Sequence, residues 1–391
     1  MEHPDEIQNS DLKIQVVSFD WPWPANYGGV VDVYYRIESL LDQGIGVDLI
    51  VVSQHAQPGP VPVHWAARSF KLFSFSRLGW RSMLSPKPYI VSSRAVAPLL
   101  PKLASGPPII LFEGIHSTAF LGHPRLSQHE QWVRVHNQEA AYYEELVTTT
   151  DSTLEKMYFR EEARRLHKFE ARVLAEADLL LPISQRDAGF CKAHAHNRVM
   201  VHRAYTSVKE VKIKKGRGEF VLFHAGLHVH DNELSAIKLA KRISARPEIN
   251  CIIAGKSPSE HLKAALSVFP NVKLIANPSM DEMHELIANA QIILLHANHQ
   301  AGFKVKMLES LARGRWVLAN TKIVHGAPGL QQGVSVIDDP NVWIEEVDKL
   351  WTIPFLDRDE VTRKGLLNGY LRGDLANAFI EKLKEVTFNR N

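Results

Sequence analysis

Short apolar runs alternate along this chain with longer, charge-rich amphipathic stretches. The run at 13–19 (KIQVVSF) predicts a strand, and a loop containing Pro and Gly follows it. Positions 30–43 predict a helix, stopped by the glycines at 44 and 46 before the strand VDLIVV. This is the phrasing of a βαβ unit, because a parallel strand covered on both faces reads as a nearly continuous apolar run. PIILFEG, WVRVH and ADLLLPIS extend the series, the last after a long charged helix. A second series (FVLFHAG, INCIIAG, NVKLIA, QIILLHA and RWVLAN) starts after a basic, turn-rich segment at 206–219, which reads as the linker between two halves. Helices are predicted between its members at 232–244, 258–269, 280–290 and 305–313. The expected architecture is α/β, two Rossmann-like doubly wound domains at 1–208 and 218–373 facing a central cleft. A terminal helix at 374–391, with Asp374 as its cap, is expected to pack back on the first domain. Ligands of such sheets sit beyond the carboxyl ends of the strands.

The composition narrows the function classes. A chain of 391 residues with a net charge of +3 is not a general nucleic-acid binder. Cys191 and Cys251 are isolated in sequence and form neither a disulfide framework nor a thiolate metal site. The N-terminus is acidic and polar, unlike a signal or transit peptide, and no apolar run approaches the ~18 residues of a spanning helix. The expected address is the cytoplasm.

The candidate chemistry lies where strands end. Gly226, Gly255 and Lys256 close two strands of the second half, where a ligand must approach the backbone. The segment from His296 to Asn320 leaves a strand, passes Gly302 and enters a helix carrying Lys304, Lys306 and Glu309. The free N–H groups and dipole of such a helix start suit a diphosphate, and an anion there offsets the cost of two lysines. Gly28 and Gly29 open the first helix, without the G-x-G-x-x-G of a nicotinamide enzyme. Glu113, His116 and His136 follow two strands of the first half. His224, His228 and His230 read as ordinary loop polarity rather than a zinc site. The acidic pair around Arg358 reads as a helix start.

Residues 301–314 (AGFKVKMLESLARG) resemble family 4 of the retaining GT-B glycosyltransferases, in the branch written G-x-K-x-K-x-L-E. Gly302, Lys304, Lys306 and Glu309 match that branch, while Ala301 stands where the commoner pattern has its first Glu. HAGLHVHDNELSAI resembles, more loosely, the branch's motif at the start of the second domain. Leu227 takes the place of the commoner Arg there, and Asn232 with Glu233 that of a Lys-Gly pair. The first glycine-rich loop and helix also resemble the family's. The resemblance implies a GT-B fold and transfer of a sugar, with retention, from a nucleotide-diphosphate sugar. It implies that Glu309 holds the donor ribose and that the backbone of 302–304, including Phe303, holds the diphosphate. With the Arg/Lys clamp missing, the positive charge falls to Lys304. One of Glu113, His116 and His136 then lines the sugar site. No cofactor or metal is implied beyond the sugar-nucleotide co-substrate. Ala301 and the missing clamp keep a second reading open, a degenerate sugar-nucleotide-binding relative, and a sugar-nucleotide epimerase is a third.

The implied acceptor is a glycan or a lipid-linked glycan of surface polysaccharide or glycoconjugate synthesis. Residues 68–88 interleave Arg68, Lys71, Arg77, Arg81 and Lys87 with Phe70, Phe73, Phe75, Leu78, Trp80 and Met83. That mixture suits an anionic membrane surface, which would make the protein peripheral at the inner face of the cell membrane. A strand and helix with a solvated basic rim is the competing reading.

Overall fold

The structure, a computed structural model, describes residues 7–25, 28–79, 82, 84–195, 198–297, 305–325 and 329–390. The chain divides into two compact units: Met1–Thr206 with Arg372–Asn391, and Ser207–Leu371.

In unit 1 the strands are β1 Lys13–Ser18, β2 Gly46–Ser53, β3 Phe70–Ser76, β4 Ile109–Glu113, β5 Glu130–Val135 and β6 Leu179–Pro182. They form one parallel sheet in the order β3-β2-β1-β4-β5-β6, which reverses between β1 and β4. Its helices are α1 Gly28–Asp42, α2 Val63–Ala66, α3 Tyr89–Ser92, α4 Leu99–Ala104, α5 Glu139–Thr149, α6 Thr153–Glu176 and α7 Gln185–His194. β2 is buried at every position, hence its nearly continuous apolar sequence, broken only by Asp48 before its terminal Ser53. Gln15 is a buried polar residue in the middle of β1. Its amide donates to the carbonyls of Leu103 (2.9 Å) and Pro107 (2.7 Å), which satisfies the buried donor.

In unit 2 the strands are β7 Val221–Gly226, β8 Cys251–Lys256, β9 Val272–Ala276, β10 Ile292–Leu295, β11 Trp316–Ala319 and β12 Ser335–Val336. The order β12-β11-β10-β7-β8-β9 repeats the first topology, with the reversal between β7 and β10. Its helices are α8 His230–Ile243, α9 Glu260–Ser267, α10 Met280–Asn289, α11 Val305–Arg313, α12 Thr321–Val324, α13 Pro340–Trp351 and α14 Asp357–Leu366. Serines cap α6, α7, α9 and α10, and at α10 Ser279 and Glu282 close a reciprocal box. Asp359 likewise accepts the Leu356 N–H (2.8 Å) at the start of α14.

Two expectations change. The segment at 206–219 is not a free linker: Val208, Val211 and Ile213 are buried in the core of unit 2. Lys212 N–H bonds the Ala312 carbonyl (2.9 Å), and Gly216 and Phe355 exchange two backbone bonds of 2.9 Å. Its apolar/basic alternation is that of an extended strip with one face packed. The boundary therefore falls at 206/207.

The terminal helix, α15 Arg372–Phe388, begins before Asp374, which lies in its first turn. The Arg372 side chain is buried against Glu38 and Asp42 at that end. Phe379, Ile380, Leu383 and Val386 join the unit 1 core, with the Phe379 ring 5.6 Å from Trp132.

Candidate functional site

In unit 1 the charged side chains converge at the β1/β4 reversal, where open α/β sheets bind ligands. Glu113 ends β4 with no exposed surface. One of its oxygens accepts from Arg36 of α1 at 2.5 Å, and the other lies 3.0 Å from His136 Nε2 just past β5. One helical turn before Arg36, Asp32 receives Arg134 of β5 through Nε (2.9 Å) and a terminal nitrogen (3.1 Å). The Tyr205 N–H adds a third bond to Asp32 at 2.7 Å, and Arg36 approaches it at 3.4 Å. Arg134 also donates to the carbonyls of Leu181, His202 and Arg203. Burial alone would raise the Asp32 pKa, but Arg134, Arg36 and His136 outweigh it and hold the carboxyl well below the usual range. His202 is kept neutral by burial and by the same two arginines.

Asp32, Glu113 and His136 place three potential ligand atoms within 4.8 Å of one another, the one such grouping of at least three among the described residues. Each carboxylate already holds a guanidinium, so a cation at their centre would face Arg36 and Arg134. The donor set fits an ion-pair network and not a metal.

Gly114 follows at φ 65°, and a Cβ there would lie 3.2 Å from His116 Nδ1 and 3.6 Å from His136 Cδ2. The left-handed turn thus admits both imidazoles close to the end of β4. The His116 ring sits 5.1 Å from that of Phe19, and burial, then Arg94, push its pKa well below normal.

The three sequence candidates Glu113, His116 and His136 therefore come together, joined by Asp32, Arg36 and Arg134, which the sequence reading did not single out. Their signal was present: an aspartate and an arginine four apart on an apolar helix, and an arginine inside the apolar run WVRVH. Gly28 and Gly29 are the first residues of α1.

In unit 2, Glu309 stands mid-way along α11 and accepts the Ser207 hydroxyl at 2.9 Å. Arg313, one turn on, donates to the same oxygen of Ser207 (3.1 Å), and His284 Nε2 lies 3.2 Å from it. Burial raises the Glu309 pKa against the opposing pull of Ser207 and Arg313. Lys306 Nζ donates to the His296 carbonyl (3.2 Å), just past β10, which puts the ammonium at the second topological reversal. Ala301, Gly302, Phe303 and Lys304 lie outside the described residues.

His224 is a buried residue of β7 rather than a loop residue. Its Nε2 lies 3.2 Å from Ser310 Oγ, and burial with Lys306 pushes its pKa down to about 3. The positions of the missing clamp have other work: Leu227 is fully buried, Asn232 bonds the Gly226 carbonyl (3.0 Å), and Glu233 takes Ser259 and His261.

Gly255 has a structural reason of its own, since a Cβ there would fall 1.8 Å from the Ala225 carbonyl oxygen. At Gly226 it would meet only the His228 ring, at 3.0 Å. Lys256 is exposed at the end of β8.

The basic-aromatic stretch resolves into an edge strand. Phe70, Phe73 and Phe75 pack against the two cores, and Lys102 Nζ sits 3.5 Å from the centre of the Phe73 ring. Arg68 pairs with Asp42, and Lys87 donates to the Ala119 carbonyl (2.9 Å). Of its apolar residues Leu78 is exposed, while Trp80, Arg81 and Met83 lie outside the described residues. Among the described residues no helix is long and apolar enough to cross a membrane.

Residues 219–352 match the family model of the glycosyl transferases group 1. Over 348 residues the chain is 27% identical to an uncharacterized 44.6 kDa protein of the cps region of Klebsiella pneumoniae, covering 83% of this chain and 87% of that one. Its fold is similar to that of sucrose-phosphate synthase from Thermosynechococcus elongatus, with a TM-score of 0.70 at 12% identity over 97% of this chain and 100% of that one. HepE of Anabaena, solved in complex with UDP and glucose, gives 0.62 at 12% identity over 96% and 100%. The fold is thus GT-B, built of two Rossmann-like units, and the second unit carries the match to group 1.

Proposed function

We propose that the protein is a retaining glycosyltransferase that moves a hexosyl group from a nucleoside diphosphate sugar to a glycan acceptor in surface polysaccharide synthesis. One observation carries this reading: the group 1 match covers a Rossmann-like unit whose topological reversal bears Lys306, with Glu309 on the helix beside it. The cps-region relative supports the polysaccharide context, and the UDP and glucose of the Anabaena structure support the donor class.

As the bond from the anomeric carbon to the diphosphate breaks, the carbon gains positive charge and the diphosphate negative charge. Lys306 and the amides that open α11 stabilise that developing negative charge, so they act on the transition state as well as on binding. Glu309 accepts the ribose hydroxyls with the oxygen that otherwise takes Ser207. In unit 1, His136, held by Glu113, and the neutral His116 hydrogen-bond sugar hydroxyls. Both buried carboxylates are held by guanidinium groups, which suits them to orientation more than to nucleophilic attack. The acceptor oxygen therefore bonds to the anomeric carbon on the face the diphosphate leaves, and its proton passes to the departing diphosphate oxygen.

The test is thermal stability with GDP, UDP, ADP and their common sugars, for wild type and Glu309→Ala. A ligand at 100 times its Kd stabilises by about 2.7 kcal/mol, so one diphosphate should raise the Tm and lose that effect in the variant. The reading fails if no nucleotide shifts the Tm. A product of inverted anomeric configuration would refute retention alone.

A further inference from the structure

We propose that unit 1 carries an anion subsite, built from Arg77, Arg94 and His116, that takes a phosphate or carboxylate group of the acceptor; it rests on the glycosyltransferase reading above. The three residues lie at one end of the sheet. Arg77 directly follows β3, and its N–H bonds the Ser53 carbonyl at the end of β2 (3.0 Å). Phe19 directly follows β1, and Arg94 reaches its carbonyl oxygen through Nε (3.2 Å) and a terminal nitrogen (3.0 Å). His116 lies in the turn after β4, its ring 5.1 Å from that of Phe19. These are carboxyl ends of neighbouring parallel strands, the end at which such sheets hold ligands.

The carboxylates near that end are already engaged, Asp20 by the Trp21 N–H (2.9 Å) and the Ser53 hydroxyl (2.7 Å). Glu113 and Asp32 are held by Arg36 and Arg134, and Glu162 takes Arg165 and the Tyr89 N–H. Among the described residues no carboxylate lies within 4.0 Å of Arg77. Its Nε and His116 Nδ1 are both buried there without a hydrogen-bond partner. Arg94, 6% exposed, is fixed by the Phe19 carbonyl and by that of Ile90 (2.6 Å). The residues next to Arg77 and Arg94 are joined directly, for the Leu78 N–H bonds the Ser93 carbonyl (2.7 Å).

A buried polar atom without a partner is costly, and a guanidinium finds its best partner in a planar or tetrahedral oxyanion. The Tyr89 ring lies 5.4 Å from the Arg77 guanidinium and holds its fork in one orientation, which lowers the entropy lost on binding. A neutral hydroxyl would meet the hydrogen-bonding demand but leave the charge unanswered.

The probes are glucose 6-phosphate, glucuronate and glucose, titrated calorimetrically into the full chain as wild type, Arg77→Gln and Arg77→Lys. At least one anionic sugar should bind tenfold or more tightly than glucose, and which one does so distinguishes phosphate from carboxylate. Arg77→Gln should abolish that preference and Arg77→Lys should keep part of it. The proposal is overturned if glucose binds as well as both anions, or if the preference survives unchanged in Arg77→Gln. The nucleotide that stabilises the wild type should stabilise both variants equally. A nucleotide response lost with Arg77→Gln would assign the arginine to the donor and overturn the acceptor subsite. Absence of any nucleotide response in the wild type is instead the failure of the glycosyltransferase reading.

Discussion

Replacing Asp32 by Asn tests the buried network without changing its shape. The carboxylate is 1% exposed and accepts from Arg134 twice, from the Tyr205 N–H and from Arg36. Asn keeps one acceptor oxygen for Tyr205 but turns an amide NH2 toward a guanidinium, leaving buried positive charge uncompensated. Removing one partner of a buried pair costs about 3–5 kcal/mol. At roughly 2 kcal/mol per molar urea, the unfolding midpoint of unit 1 should fall by about 2 M. The buried Trp21, Trp23, Trp65 and Trp132 report on unit 1 by fluorescence.

The pH dependence follows from the depressed Asp32 pKa. Its contribution is fully present above the unfolded value of about 3.9 and is lost as pH falls through the lower folded value. The gap between wild type and variant should therefore hold from neutral pH to about pH 4 and close only in stronger acid. A midpoint change below about 0.5 M would place the network with exposed ion pairs, worth ~0–1 kcal/mol, and refute the reasoning.

Glu139 should behave oppositely: burial and Glu170 raise its pKa to about 7, so ionising it destabilises the fold as pH rises from the ordinary carboxyl value to about 7. Glu139→Gln should stabilise by up to roughly 3 kcal/mol at pH 8 and far less at pH 5, and equal Tm changes at both pH values would contradict this. Gly255→Ala should destabilise unit 2 by about 3 kcal/mol or more, because the added methyl overlaps a backbone oxygen. Gly226→Ala, which meets only a movable imidazole, should cost under about 1 kcal/mol, and similar urea midpoints for the two variants would refute the distinction.

The sequence carried the sheets well because both faces of each sheet are covered. Runs such as LIVV in β2 and IILL in β10 are apolar at every position, and few other structures ask for that. The helix over Val305–Arg313 was legible for a different reason, a strong single apolar face ending at Gly314. β3 was ambiguous because an edge strand is half exposed: its phenylalanines face the core while Lys71, Ser74 and Ser76 face water, which reads equally well as a basic-aromatic surface. β12, two residues long, leaves no periodicity to read. In the site, Glu113, His116 and His136 were visible as polar residues at the ends of apolar runs. The network joining Asp32 to Arg134 was not, since its partners are 102 positions apart and nothing local requires them to meet. The segment at 206–219 looked like a linker because its lysines dominate the composition, while Val208, Val211 and Ile213 that anchor it are sparse.

The candidate site residues also hold the chain on each side of the unit boundary. Before it, Arg134 grips the carbonyls of His202 and Arg203, and Asp32 takes the Tyr205 N–H. After it, the Ser207 hydroxyl reaches Glu309 and receives Arg313. Tyr205 in unit 1 and Val208 in unit 2 are each fully buried. A change at a residue of proposed chemistry therefore disturbs the local anchoring of the chain as well, and lost activity alone cannot separate the two. For Glu309 the separation is available, because Ser207→Ala removes the same hydrogen bond from the other side. A nucleotide-induced Tm shift that is lost in Glu309→Ala but kept in Ser207→Ala reports a contact to the nucleotide. Equal loss in both would mean that Glu309 acts through its hold on Ser207, and the ribose would need another partner.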